Sequence, residues 1–185
     1  MEGCQLRSMP DVAHLDPGEI RVEVLVQRLG LQPHPEGGWY CECHRSGRSV
    51  TRDDGASRTA LTQILFLLPA GGISRWHRVK GADEIWQFVA GEPLDFWTLP
   101  PQGGLPQSRK LGPFQLPENA GTDKDPICCE PQLVVPADCW QAASASEGWS
   151  LASCYVAPGF DFEDFELLRQ LPRSQHPNGV CGELL

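Results

Sequence analysis

Gly71-Gly-Ile-Ser-Arg-Trp-His77-Arg-Val-Lys-Gly-Ala-Asp83-Glu84-Ile-Trp-Gln-Phe-Val-Ala-Gly91 is the stretch on which the reading of this chain turns. Two strand-like apolar runs flank a short polar turn, and glycines close both ends. His77 lies in the first run and Glu84 opens the second, so a titratable side chain stands on each side of the turn. On strict alternation Glu84, Trp86 and Phe88 share one face of their strand. Read as a hairpin, the stretch puts the Glu84 carboxylate beside His77, as a base with its orienting partner or as two metal ligands.

The sequence outward from this stretch is rich in turns. Glycine and proline number 19 and 17 in 185 residues, which favours short strands over long helices. Upstream, Asp16-Pro17-Gly18-Glu19 has the form of a helix start and Gly30 of a stop, which predicts a helix over 17–29. Trp39 to Arg45 alternates as a strand, with Trp39, Cys41 and Cys43 on one face and Tyr40, Glu42 and His44 on the other. His34, Glu36, Glu42 and His44 are residue types that could hold a metal, but the preferred reading is a kinked loop carrying His34 and Glu36 and an outward polar face for the second set. Arg58 to Leu68 reads as one long strand. Downstream come strands at 94–99, 108–111, 132–136, 140–143 and 149–156, then a short helix over 162–171 capped by Asp161. Residues 100–131 read as an irregular excursion. The expected organisation is one domain over 16–171, with loose tails at 1–15 and 172–185. Eight or nine closely spaced strands suit a closed antiparallel sandwich or barrel better than βαβ units.

Composition narrows the function classes. A net charge of −9 argues against general binding to nucleic acid or an anionic membrane, which needs clustered Lys and Arg. The longest apolar run, 64–70, is too short to span a bilayer, and no secretory signal opens the chain. The eight cysteines include Cys41-x-Cys43 and Cys128-Cys129 but no C-x-x-C, so they read as thiols of a cytoplasmic protein.

Gly71, His77, Glu84 and Gly91 fall on the first motif of the cupin superfamily, and Pro136-Ala-Asp138-Cys-Trp-Gln141 on its second. Together with Pro33-His-Pro-Glu-Gly-Gly38, Asp83-Glu-Ile-Trp86 and Ala157-Pro-Gly-Phe-Asp-Phe162, they resemble the cupin-5, RmlC-like group, domains of unknown function. The resemblance implies an all-β jelly-roll β-barrel with short flanking N- and C-terminal helices. It also implies a homodimer and a ligand pocket at the barrel mouth. Val79 and Gln141 stand where the superfamily places its second and third metal histidines. That leaves His77, Glu84 and Gln141 as weak candidates for a divalent metal, and no cofactor is expected. Asp138 replaces the glycine of the second motif, at a corner where aspartate tolerates a left-handed turn.

Three functions follow from this resemblance. An epimerase or isomerase of a sugar-like substrate would use His77 as base, oriented by Glu84, with Tyr40 or Tyr155 returning a proton. A non-catalytic barrel would hold a small polar ligand among Trp86, Phe88, Trp97 and Trp140, with His77, Glu84 and Gln141 as polar points. Tyr40 and Arg58 complete the expected ligand-binding set. A metal-dependent enzyme is the third, and it needs ligands that positions 79 and 141 do not supply.

Overall fold

The computed structural model describes residues 21–116, 128–180 and 182–185. Thirteen strands follow one helix among these residues. The helix α1 (Val22–Leu29) ends at Gly30, which takes the left-handed conformation (φ 64°) expected of a C-cap. The proposed cap Asp16 lies outside the described residues.

One antiparallel sheet has six strands: β1 (Gln32–Pro33), β2 (Trp39–Arg45), β5 (Thr62–Leu68), β12 (Ser150–Ala157), β7 (Asp83–Gly91) and β10 (Gln132–Val135), in that order. The facing sheet has five: β13 (Phe165–Leu167), β6 (Ile73–Val79), β11 (Trp140–Ser144), β8 (Leu94–Leu99) and β9 (Gln107–Leu111). A small hairpin, β3 (Ser49–Thr51) with β4 (Ser57–Thr59), stands apart. This is the jelly-roll sandwich expected, with the run at 58–68 broken between β4 and β5.

The opening stretch is not a hairpin. β6 belongs to the five-stranded sheet and β7 to the six-stranded one, so the turn between them crosses from sheet to sheet. His77 and Glu84 therefore lie on opposite walls of the sandwich. The Asp138 corner behaves as read: its φ is 67°, and its carboxylate accepts the Gly81 N–H at 3.2 Å.

Strand register decides what fills the interior. Thr62, Val156 and Glu84 pair across three strands, and Ile64, Cys154 and Trp86 form the next inward-facing row. Beyond them come Phe66, Ala152 and Phe88, where the interior is packed solid. Phe66, Trp86 and Phe96 close this floor edge-to-face, with ring centroids 5.3 and 5.2 Å apart. The rows nearer the mouth are left as a cavity.

Both outer faces are covered in part. α1 lies on the six-stranded sheet, over Cys41, Leu67 and Leu151. The C-terminal segment covers the other sheet, packing Leu168 and Leu184 on Trp76, Leu99 and Trp140. Residues 172–185 are therefore not a loose tail in their described part, which carries two 3-10 turns. Nor is 162–171 a helix: it forms β13 and a 3-10 turn, Leu168–Gln170, because its apolar residues pair with β6 and seal its outer face. No described helix is long and apolar enough to cross a membrane.

Candidate functional site

The cavity between the sheets has a volume of about 430 Å³. Its acid–base chemistry begins in the loop before β2. Pro33-His-Pro-Glu-Gly-Gly38 folds back on itself, with Gly37 N–H donating to His34 O at 3.0 Å and His34 N–H to Gly38 O at 3.1 Å. Arg75 then stitches the loop to β6, its backbone N–H and its guanidinium each donating to Glu36 O at 3.0 Å. Gly37 (φ 119°) and Gly38 (φ 67°) allow this close approach: a Cβ on Gly37 would collide with the Ile73 carbonyl oxygen, and one on Gly38 would sit 2.7 Å from that of Leu67. Gly37→Ala is expected to cost more than about 1 kcal/mol, read as a lowered urea midpoint.

Seated this way, Glu36 is the hub of the cavity. Its Oε2 lies 3.2 Å from His34 Nδ1 and 3.2 Å from His77 Nε2, and its Oε1 accepts the Ser74 hydroxyl at 2.7 Å. All four side chains are nearly sealed from solvent. Burial pushes the Glu36 pKa up, but the charges of His77 and His34, and the hydrogen bonds from His34 and Ser74, outweigh it and hold the carboxyl below its usual range. Burial also pulls the His77 pKa down, against the pull of Glu36 and of the Arg75 carbonyl. His77 Nδ1 donates to that carbonyl at 2.7 Å, so the 3.2 Å contact between its Nε2 and the Glu36 carboxylate needs a second proton, on Nε2. His34 is simpler. Its Nδ1 lies 3.2 Å from the Glu36 carboxylate and 3.5 Å from the Glu36 backbone N–H; the shorter contact assigns the proton to Nδ1, and no described residue hydrogen-bonds its Nε2.

A second polar row bridges the two walls, from Glu84 and Trp86 on β7 to Gln141 on β11. Glu84 accepts from Gln141 Nε2 at 2.5 Å, and the Gln141 carbonyl oxygen accepts from Trp86 Nε1 at 3.0 Å. Here nothing cationic offsets burial, and Glu36 adds like charge. The Glu84 pKa is pushed up to about 8, with only the Gln141 hydrogen bond opposing. Glu84 is thus a neutral acid at pH 7. Trp86→Phe is expected to leave the Gln141 oxygen unpaired at a cost of about 1–3 kcal/mol, measurable by thermal denaturation.

These positions redraw the expected site. His77, Glu84, Trp86 and Tyr40 do line the cavity, but the carboxylate at His77 is Glu36 and not Glu84. Gln141 reaches the site through Glu84. Phe88 lies one row too deep, packed against the core. Trp97 and Trp140 have the opposite strand parity to Phe96 and Gln141, so they face out under the C-terminal segment; Arg78 stacks over Trp140, 4.6 Å from its ring centroid. Arg58 is bound to Asp164 at 2.7 and 3.1 Å, away from the cavity wall. The Tyr155 hydroxyl meets Gln87 on an exposed surface, which leaves Tyr40 as the tyrosine of the cavity. Conversely, the face of β2 read as outward supplies Tyr40 and Glu42 to the cavity, while its Cys41 and Cys43 face α1. His34 and Glu36 are the cavity residues that the sequence reading left in a loop. The doubled proline and glycine around them were the available signal.

A metal at the positions the cupin resemblance implies would need donors at 77, 79, 84 and 141. Val79 has none, and both ends of the Gln141 amide are engaged by Trp86 and Glu84. Among the described residues no group of three or more His, Cys, Asp or Glu side chains could hold a metal ion. The donor set does not fit a transition metal.

A family model described as the cupin superfamily (DUF985) matches residues 23–168. A hypothetical protein from Leishmania major is 30% identical, with a TM-score of 0.65 over 80% of this chain and 86% of that one. A Shewanella oneidensis protein solved by structural genomics is 33% identical, with a TM-score of 0.65 over 80% of this chain and 84% of that one. Oxalate decarboxylase from Bacillus subtilis, at 16% identity and a TM-score of 0.50, covers 74% of this chain with 29% of its own; that likeness shows the fold alone. No curated protein matches the chain. Motifs, topology and family match agree: the chain belongs to the cupin superfamily, in its DUF985 family.

Proposed function

We propose that the cavity binds a small, sugar-like carbonyl compound and moves a proton at the carbon beside the carbonyl, as an isomerase or epimerase does. One observation carries this reading: two carboxyl groups in one buried cavity are driven to opposite protonation states, Glu36 ionised and Glu84 neutral up to about pH 8. Glu36 fixes the His34 tautomer by accepting from Nδ1–H, which leaves the Nε2 lone pair to act as base. That nitrogen takes the α-proton, the C–H electron pair forms a C=C bond, and the Glu84 proton moves to the carbonyl oxygen. Reversal at the neighbouring carbon gives isomerisation; return of a proton to the other face, with Tyr40 the available hydroxyl, gives epimerisation. His77 is a positioning residue in this scheme, since both its nitrogens are already partnered.

The apolar wall favours a second reading, a barrel that binds without turnover. Phe66, Trp86, Phe160, Phe162 and Phe165 gather on the lining and would hold the carbon face of a ring. Incubation of the full chain in deuterated water with a panel of keto- and aldo-sugars separates the two. Solvent deuterium should enter the carbon beside the carbonyl, with His34→Gln and Glu84→Gln each slowing exchange by about 10²–10⁴-fold. Calorimetric binding of a sugar with no label incorporated would leave the binding-only barrel and remove the isomerase.

A further inference from the structure

On the far side of β2 from the cavity lie two thiols. Cys41 and Cys43 point under α1, Cys41 buried and Cys43 half-buried, with their sulfur atoms 3.7 Å apart. In a regular strand residues two apart are separated by roughly 6.6 Å, close to the upper limit of about 6.8 Å that a disulfide spans between Cα atoms. β2 is not regular here. Its pairing with β5 slips between Glu42 and His44, so Cys43 is the extra residue of a bulge, which bends the strand and re-aims that side chain. The Cys43 thiol is also acidic for a cysteine. The hydrogen bond with Cys41 draws its pKa down to about 7, against burial and with help from the Leu65 backbone. A large fraction is therefore thiolate at neutral pH, the form that attacks peroxides.

We propose that Cys41 and Cys43 form a peroxide-oxidised dithiol site that closes to a disulfide within β2 and so acts on the cavity wall. The Cys43 thiolate attacks one peroxide oxygen, the O–O bond breaks, and hydroxide leaves to become water. The sulfenic acid at Cys43 is then attacked by Cys41: the S–S bond forms, the S–O bond breaks, and a second water leaves. In total two thiols lose two electrons and two protons, and one peroxide becomes two waters. The residue between the thiols transmits the change. Glu42 faces the cavity and holds Arg45 through contacts of 2.9 and 2.7 Å, and Arg45 in turn reaches the Phe160 carbonyl at 3.3 Å. Closing a ring through Cys41, Glu42 and Cys43 alters the backbone from which this strut is built.

The test uses the full chain treated with hydrogen peroxide, blocked with maleimide and digested with trypsin, which releases residues 29–45 with Cys41 and Cys43 as their only cysteines. The expected product is that peptide lighter by two hydrogens, unlabelled by maleimide and restored by dithiothreitol. Cys41→Ser should stop at a sulfenic acid on Cys43 that dimedone traps, and Cys43→Ser should slow oxidation of the peptide at least tenfold. Full maleimide labelling of both cysteines after peroxide, or oxidation confined to the peptides holding Cys128 and Cys129, would overturn the dithiol site. Faster amide hydrogen exchange at 158–166 in the oxidised protein, reversed by dithiothreitol, is the expected sign of the link to the cavity. Unchanged exchange there would overturn that link.

Discussion

Glu84→Gln is expected to be more stable than the natural protein at pH 7 by about 3 kcal/mol, contrary to the usual effect of altering a buried polar residue. The unfolded chain releases the Glu84 proton near pH 4.5, whereas the folded protein keeps it to about pH 8. Between those values the folded state binds one more proton than the unfolded state. Stability therefore falls as pH rises through this window, by about 1.4 kcal/mol per unit. Glutamine is neutral throughout and can still accept from Gln141, so it keeps the hydrogen bond and removes the pH dependence. Urea denaturation of both proteins should show no difference at pH 4 and a gain at pH 7 worth about 6–12 °C in Tm, at 2–4 °C per kcal/mol. An equal gain at both pH values would mean that Glu84 is ionised in the folded protein. Such a variant loses the acid of the proposed reaction while gaining stability, a trade-off expected where function holds a group in an unfavourable state.

Glu36→Leu should do the opposite, costing about 3–5 kcal/mol. Leucine fits the volume but strands three donors, those of His34, His77 and Ser74, in a sealed site. The deficit also has a pH signature. Because the folded Glu36 pKa lies below its usual 4.5, its contribution is present above that value and is lost as pH falls through the folded pKa. The gap between the natural protein and Glu36→Leu should therefore be widest near neutrality and narrow below about pH 4.5. Chemical denaturation at pH 7 and pH 4 measures both points, and a deficit that stays constant in acid would show that Glu36 is not the ionised hub. The same variant releases the His34 ring, so deuterium exchange should fall with it.

The sequence made the fold legible because its signals were local. Strand alternation, turn residues and the glycines at 71 and 91 are properties of short windows, and the aspartate at 138 was readable as a left-handed corner. Part of the candidate site was legible for the same reason: Glu84 and Trp86 share the inward face that strand alternation gave them, and His77 was named beside them. What was hidden depended on long-range pairing. Glu36 reaches His77 only because a proline- and glycine-kinked loop is stitched to Arg75, 39 residues on in the sequence. The outward turn of Trp97 and Trp140 follows from the C-terminal segment covering their face, which its mixed composition did not announce. The bulge at Cys43, likewise, belongs to the register with β5 and not to β2 itself.

The Gln141 amide has a consequence beyond packing. An indole N–H can only donate, so Trp86 leaves the amide one orientation: oxygen toward the indole, nitrogen toward Glu84. The nitrogen in turn needs an acceptor, so the Glu84 oxygen it meets, Oε2, is the carbonyl oxygen of the neutral acid. The hydrogen is thereby assigned to Oε1. A tryptophan that never changes charge thus sets the address of a proton two side chains away, and with it the direction from which a bound carbonyl would receive it.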